Sequence, residues 1–301
     1  MNSLPTNKLF TNPNDFPGVD VYAVVGNPIA HSKSPAIHEQ LAGQAQQKMH
    51  YGRIQAELGD FAKAAQSFFD AGGKGLNVTV PFKLDAQVFA GVLTPRAQLA
   101  GAVNTLYIQD GSIFGDNTDG AGLVRDLLAQ GIPIQGARIL LLGAGGAARG
   151  VLGPLLEQSP EQLIITNRSN EKAVELVQLF GDLAKNRSVN LASITFNDLE
   201  DPEKASPPFD LVINATAAGL TDQSPLSAAA AHHIFIPSSF AHDMVYGKTT
   251  AFMQQALQRG TRVSDGLGML VEQAADAFLI WRGADLSQMI DPRLILTQLR
   301  S

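Results

Sequence analysis

The stretch RILLLGAGGAAR, Arg138 to Arg149, decides how this chain is read. Ile139 to Leu142 is apolar at every position, the pattern of a strand covered on both faces, and it runs without a break into a glycine cluster. Gly143, Gly145 and Ala148 stand at the spacing G-x-G-x-x-A. Small residues there allow a tight turn, close approach of backbone to a pyrophosphate, and close packing of the next helix on its strand. A glycine-rich turn alone is as readily a loop, so the following segments carry the decision. Leu163 to Thr166 reads as the next strand and ends in Asn167-Arg168-Ser169. An NAD site would carry a carboxylate about 20 residues past the glycines, and here the position is basic. Arg168 offers a planar, permanently charged fork suited to the 2'-phosphate of NADP, and Lys172 adds a second positive charge one helical turn on. The plain alternative is that both are solvated surface charges. A strand, glycine turn, helix and strand in that order favour NADP over NAD.

Composition sets the outer limits. The 301 residues, 45% of them hydrophobic, suffice for a sizeable core in one large domain or two. A net charge of -6 and a sequence pI near 5.5 provide no basic field for nucleic acid. No cysteine is present, which excludes disulfides, thiolate metal sites and a cysteine nucleophile. No apolar run approaches a membrane span, and the polar N-terminus has no hydrophobic signal segment, so a cytoplasmic location is expected.

Along the chain, residues 1–20 are rich in Asn, Pro, Thr and Ser and are expected to form a flexible extension. Val21 to Val25 is a strand, followed by Ser32 and Ser34 before a helix that Pro35 helps to start and Ser34 is expected to cap. The two hydroxyls either bind an anion there or merely cap and turn the chain. Met49 to Gln55 reads as a strand, Leu58 to Ala71 as a helix, and Leu76 to Val80 as a strand ended by Pro81. Lys83 lies between Phe82 and Leu84, either snorkelling or poised for proton transfer. A hairpin at Asp110-Gly111 leads to Asp119, which caps a helix over Ala121 to Gln130, faces a cleft, or does both. Further helices are expected over Glu171 to Phe180, Thr249 to Arg259, up to Arg282, and Pro292 to Leu299. Strands are expected over Phe209 to Ile213, Ile234 to Phe240, Ala241 to Tyr246 and Arg262 to Ser264. Pro154 is expected to kink its helix.

Several motifs then fall together: GNPIAHSKSP at Gly26 to Pro35, NVTVPFK at Asn77 to Lys83, GAVNT at Gly101 to Thr105 and DNTDG at Asp116 to Gly120. With GAGGAARG, NRS, NATAAG, DMVYGKTT and DGLGMLVEQAA downstream, the chain resembles the shikimate dehydrogenase family over nearly everything after Val21. The resemblance implies reversible, NADPH-dependent reduction of 3-dehydroshikimate to shikimate, with no metal and with small molecules as the only partners, in a monomer or homodimer. It implies an α/β fold of two domains with a cleft between them: a substrate-binding domain from residues 21–119 and 266–301, and a Rossmann-like NADP-binding domain from 120–265. By likeness, Lys83 and Asp119 are the catalytic pair. Ser32, Ser34 and Tyr246 hold the substrate carboxylate, and Thr79, Asn104 and Gln273 the ring hydroxyls. Gly143, Ala144, Gly145, Gly146 and Ala147 form the glycine turn. Asn167, Arg168, Ser169 and Lys172 clasp the 2'-phosphate, and Thr216, Met244 and Gly266 lie along the cofactor.

Three departures from the family pattern stand out: Glu39 follows His38 where Asn is usual, Lys172 replaces a frequent Arg, and Lys248 stands where Pro is usual, which is expected to loosen the loop carrying Tyr246. The alternatives are a quinate/shikimate dehydrogenase of broader substrate and cofactor use, and a non-catalytic NADP-binding sensor.

Overall fold

The structure, a computed structural model, describes residues 9–204 and 208–301. They divide into two compact units, one of the residues up to Thr118 with Val271–Ser301, the other of Asp119–Leu270.

The first unit is built from β1 (Asp20–Gly26), α1 (Ser34–Gln44), β2 (Met49–Gln55), α2 (Phe61–Asp70), β3 (Gly75–Val78), α3 (Lys83–Phe89), β4 (Val92–Leu93), α4 (Pro95–Ala100), β5 (Thr105–Gln109) and β6 (Ser112–Asp116). Its six strands form a mixed sheet in the order β2-β1-β3-β5-β6-β4. β1 lies between β2 and β3, parallel to both, and its residues alternate between two cores. Val21, Ala23 and Val25 pack with Phe61 and Phe68 of α2, whereas Tyr22 and Val24 pack with Ile29, Tyr51 and Trp281. β5 runs antiparallel to β3 and β6, and Asp110 and Gly111 both take the positive φ that a two-residue hairpin needs.

The flexible extension expected over residues 1–20 is corrected for its second half. Thr11 Oγ1 donates to Arg53 O at 3.0 Å and accepts from Arg53 N at 2.9 Å, and Phe16 stacks on His50 at 3.7 Å. Gly52 makes this possible, because a Cβ there would overlap Thr11. Residues 1–8 lie outside the described residues.

The second unit comprises α5 (Asp119–Ala129), β7 (Arg138–Leu142), α6 (Gly146–Glu157), β8 (Gln162–Thr166), α7 (Asn170–Asn186), β9 (Asn190–Ser193), β10 (Leu211–Asn214), α8 (Ala228–Ile234), β11 (Phe240–Asp243), α9 (Ala251–Gln258) and β12 (Arg262–Asp265). Its sheet is wholly parallel, in the order β12-β11-β10-β7-β8-β9. The chain therefore starts in the middle at β7, winds outward one way, then returns to β10 and winds the other way. This is the doubly wound Rossmann order, with its switch point between β7 and β10. A long helix, α10 (Leu267–Arg282), and α11 (Pro292–Arg300) end the chain. Among the described residues no helix is long and apolar enough to cross a membrane.

Some elements differ from expectation. Ile234 closes α8 instead of opening a strand: Ser227 Oγ accepts from Ala230 N at 3.1 Å and starts a run of alanines, and β11 begins only at Phe240. Ser34 is the first residue of α1 and does not cap it, and Asp119 opens α5 instead of preceding it. α6 runs unbroken through Pro154, which sits against Gly120 of α5.

That last contact can be tested against a neutral site. A Cβ on Gly120 would lie 2.4 Å from Gly150 O and 2.5 Å from Pro154 Cγ, whereas one on Gly181 in α7 meets nothing within 4 Å. In urea unfolding, Gly120→Ala is expected to destabilise by about 1–3 kcal/mol through overpacking. Gly181→Ala is expected to stabilise by up to about 1 kcal/mol through helix propensity.

Candidate active site

In the first unit the polar residues gather where β1 and β3 end and β5 begins. Asn77, inside β3, is buried and must satisfy its amide within the protein. Its Oδ1 accepts from Tyr51 Oη at 2.7 Å and lies 3.1 Å from His38 Nε2, while its Nδ2 donates to Asn104 O at 3.3 Å and Thr105 Oγ1 at 3.2 Å. The Tyr51 hydroxyl also meets Ser34, and burial raises that hydroxyl's pKa well above the ordinary tyrosine value. Ser32 Oγ accepts from Ser34 N at 3.3 Å, and Arg53 Nη2 holds Ser32 O at 2.7 Å. Both serines are thus fixed at the start of α1, Ser34 by its side chain and Ser32 by its carbonyl.

Thr79 follows β3, its amide bonded to Val25 O at 3.0 Å, and its methyl occupies the place a Cβ on Gly26 would need. Lys83 heads α3 and is half-buried, and its carbonyl accepts from Val103 N at 2.9 Å. The next residue, Asn104, has Nδ2 2.9 Å from Thr118 Oγ1 and 3.2 Å from Gln273 Oε1, and its Oδ1 accepts from Thr118 N at 2.9 Å. Gln273 rides on α10, which Arg96 ties down by binding Asp116 through Nε and Nη2 at 2.6 and 2.8 Å and Asp276 through Nη1 at 2.9 Å. Burial would raise the Asp116 carboxyl, but Arg96, Thr94 and the Asn117 amide outweigh it and hold the carboxyl below the usual carboxylate range.

In the second unit the equivalent edge lies at the switch point. Gly143 has φ +110°, and a Cβ on it would come within 3.2 Å of the Ala215 backbone and Thr216 Cγ2. Gly145 is the exposed, extended N-cap of α6 with open space where a Cβ would be, and Gly146 and Ala147 beside it are partly exposed while Ala144 is buried, so the backbone at Gly145 is open to close approach at the helix start. Ala148 is fully buried, as the third small residue must be for the helix to pack on its strand. Past β8, Asn167 Nδ2 donates to Ser169 O at 2.9 Å, and Arg168, Ser169 and Lys172 are exposed. Gly266 lies against the Met244 backbone so closely that a Cβ would overlap it.

The first 118 residues contain a match, at 24–106, to the family model for the shikimate dehydrogenase substrate binding domain, and residues 126–223 match the model for shikimate / quinate 5-dehydrogenase. The chain is 51% identical to shikimate dehydrogenase (NADP(+)) of Vibrio atlanticus (strain LGP32), over 88% of this chain and 92% of that one. The chain belongs to the shikimate dehydrogenase family. Solved structures agree. Shikimate dehydrogenase from Aquifex aeolicus superposes with a TM-score of 0.80 at 28% identity, covering 95% of this chain and 99% of that one. Shikimate 5-dehydrogenase from Thermus thermophilus, in complex with NADP(H) and shikimate, gives 0.79 at 32% identity over 94% and 99%.

For a shikimate dehydrogenase family member, the departure at Lys248 brings a contact of its own: its Nζ is 2.5 Å from Asp222 Oδ1, an exposed ion pair between the segment after Tyr246 and the one after Thr216. The residues that sequence reading missed are Asn77, Thr118, Asn214 and Asp243. Their signal was faint: a polar side chain inside or at the end of a strand for Asn77, Asn214 and Asp243, and one in the turn between β6 and α5 for Thr118.

His38 supplies a test of this buried network. Asn77 Oδ1 accepts, so His38 Nε2 carries the proton, and Nδ1 is buried with no hydrogen-bond partner. Burial therefore lowers its pKa from 6.5 to about 3. Its folded value is depressed, so its contribution to stability is complete above the unfolded value and is lost as pH falls from 6.5 towards 3, by about 1.4 kcal/mol per pH unit. In His38→Gln, equilibrium unfolding from pH 7 to 4 is expected to show a shallower loss than wild type, the two curves converging in acid.

Proposed function

We propose that the chain catalyses reversible, NADPH-dependent reduction of 3-dehydroshikimate to shikimate, in the cytoplasm, as a monomer or homodimer. The observation that carries this reading is the glycine turn at the β7–β10 switch point with exposed Arg168 and Lys172 at the end of the neighbouring β8. The open backbone at Gly145 suits a pyrophosphate, and the two cations suit a 2'-phosphate, Arg168 as a fork and Lys172 as a point charge. Bound NADPH supplies a hydride to the ketone carbon.

The chain's own residues do the rest. As negative charge grows on the ketone oxygen, the Lys83 ammonium stabilises it and donates the proton; in the reverse direction the neutral amine takes the alcohol proton. Asp119 orients Lys83. Ser32 and Ser34, with Tyr246, hold the substrate carboxylate, and Thr79, Asn104 and Gln273 hold the ring hydroxyls. Thr216, Met244 and Gly266 flank the nicotinamide half of the cofactor, and Asn167 and Ser169 complete the 2'-phosphate site.

The experiment follows nicotinamide absorbance with shikimate or quinate paired with NADP or NAD. Turnover confined to shikimate with NADP is expected. Comparable rates with quinate or NAD would make the protein the broader enzyme, and NADP binding without turnover would make it a sensor. Lys83→Met is expected to lower kcat by about 10²–10⁴-fold, the range for loss of a general acid, while NADP affinity by fluorescence titration stays within threefold. Arg168→Gln is expected to raise KM for NADP by about 10–100-fold, as loss of a charge-assisted hydrogen bond would, and to leave KM for NAD nearly unchanged.

A further inference from the structure

Asp243 closes β11 beside Asn214, which closes β10, and the two are register partners in the parallel sheet. Both side chains are fully buried. Asp243 Oδ2 accepts from Asn214 Nδ2 at 3.1 Å and from Thr250 Oγ1 at 2.6 Å, and its Oδ1 accepts from Val245 N at 3.0 Å. Asn214 Oδ1 in turn accepts from Thr216 N at 3.0 Å and Thr216 Oγ1 at 2.7 Å. One continuous hydrogen-bonded line therefore runs from Thr216 through Asn214 to Asp243, then to the amide between Met244 and Tyr246 and to the start of α9.

We propose that Asp243 is a positioning residue for hydride transfer, setting the Thr216 loop and the Met244–Tyr246 loop in register with each other. The proposal rests on the functional reading above, in which those loops face nicotinamide and substrate. All three donors to Asp243 are neutral, so a buried carboxyl sits here without a cation among them, a costly choice if stability alone were served. What the carboxylate does is accept on both oxygens at once. An amide has a single acceptor oxygen and would present its NH2 to another donor. Gly219 leaves room for the arrangement: a Cβ there would lie 3.1 Å from Thr250 Cγ2, 3.2 Å from Val245 Cγ2 and 3.4 Å from Asp243 Oδ2.

The test exchanges the polarity of the link. In Asp243→Asn two donors face each other, and kcat is expected to fall at least tenfold, while one equivalent of NADP still binds with affinity within threefold of wild type, since the phosphate contacts lie elsewhere. The double variant Asp243→Asn with Asn214→Asp reverses the link at unchanged net charge, returns an acceptor to Thr216, and is expected to restore kcat to within threefold. A folded Asp243→Asn with wild-type kcat, NADP stoichiometry falling in step with activity, or a folded double variant that stays slow would each overturn the proposal. If Asp243→Asn does not fold, the double variant decides alone. If neither folds, Thr250→Val, which removes the hydroxyl on Asp243, is expected to be slow and Thr250→Ser, which keeps it, normal, and equal rates for the two would refute the proposed line. Lys83→Met and Arg168→Gln separate the two levels. Wild-type kinetics in those variants would remove the functional reading itself, whereas their expected losses beside an unaffected Asp243→Asn would remove only this inference.

Discussion

A carboxamide buried inside a strand constrains the whole polar end of the first unit. Asn77 sits where its neighbours Leu76 and Val78 are core residues, so every hydrogen bond it makes must come from the protein. It meets that demand by joining α1 and β2 through His38 and Tyr51 on one side, and β5 through Asn104 and Thr105 on the other. Ser34 is held through the same Tyr51 hydroxyl, and Gln273 through Asn104. Residues far apart in the chain are thereby held as one hydrogen-bonded set, in which His38 Nδ1 is the atom left without a partner.

The second unit reaches a similar result by another route. Its parallel sheet is apolar almost to the strand ends, and polarity is concentrated in the last residue of a strand or the first of a turn: Thr166, Asn214, Asp243 and Asp265. Asn214 and Asp243 share a register position, so adjacent loops are coupled through side chains as well as through the backbone bond from Met244 N to Asn214 O at 3.0 Å. The first unit fixes its site by a hub, the second by a line.

What could be read from the chain follows from how local each signal was. β7, the glycine turn and β8 were legible because the required spacing lies within some thirty consecutive residues, and an apolar run between helices needs no distant partner to be recognised. The strand expected over Ile234 to Phe240 failed because an apolar run is equally the end of a helix, and Ser227, the residue that settles the matter, lies outside it. Asn77, Thr118 and Asp243 escaped notice because their roles depend on partners elsewhere: Asn104 for the first, Gln273 for the second, Asn214 for the third. Lys248 was judged by the proline it replaces, and its ion pair with Asp222 is one that nothing nearby in sequence indicates.

The division of the chain also has a consequence for the order of synthesis. The second unit is one continuous segment, Asp119–Leu270, and leaves the ribosome whole. The first unit is split around it. Arg96 waits for Asp276, Asp20 and Gln47 wait for Arg282, and the Tyr22 ring waits for Trp281, which stacks on it at 4.7 Å. The segment made before the second unit is therefore finished after it: the sheet of the first unit emerges with its partners on α10 still unmade, and it is completed only when translation has passed that helix.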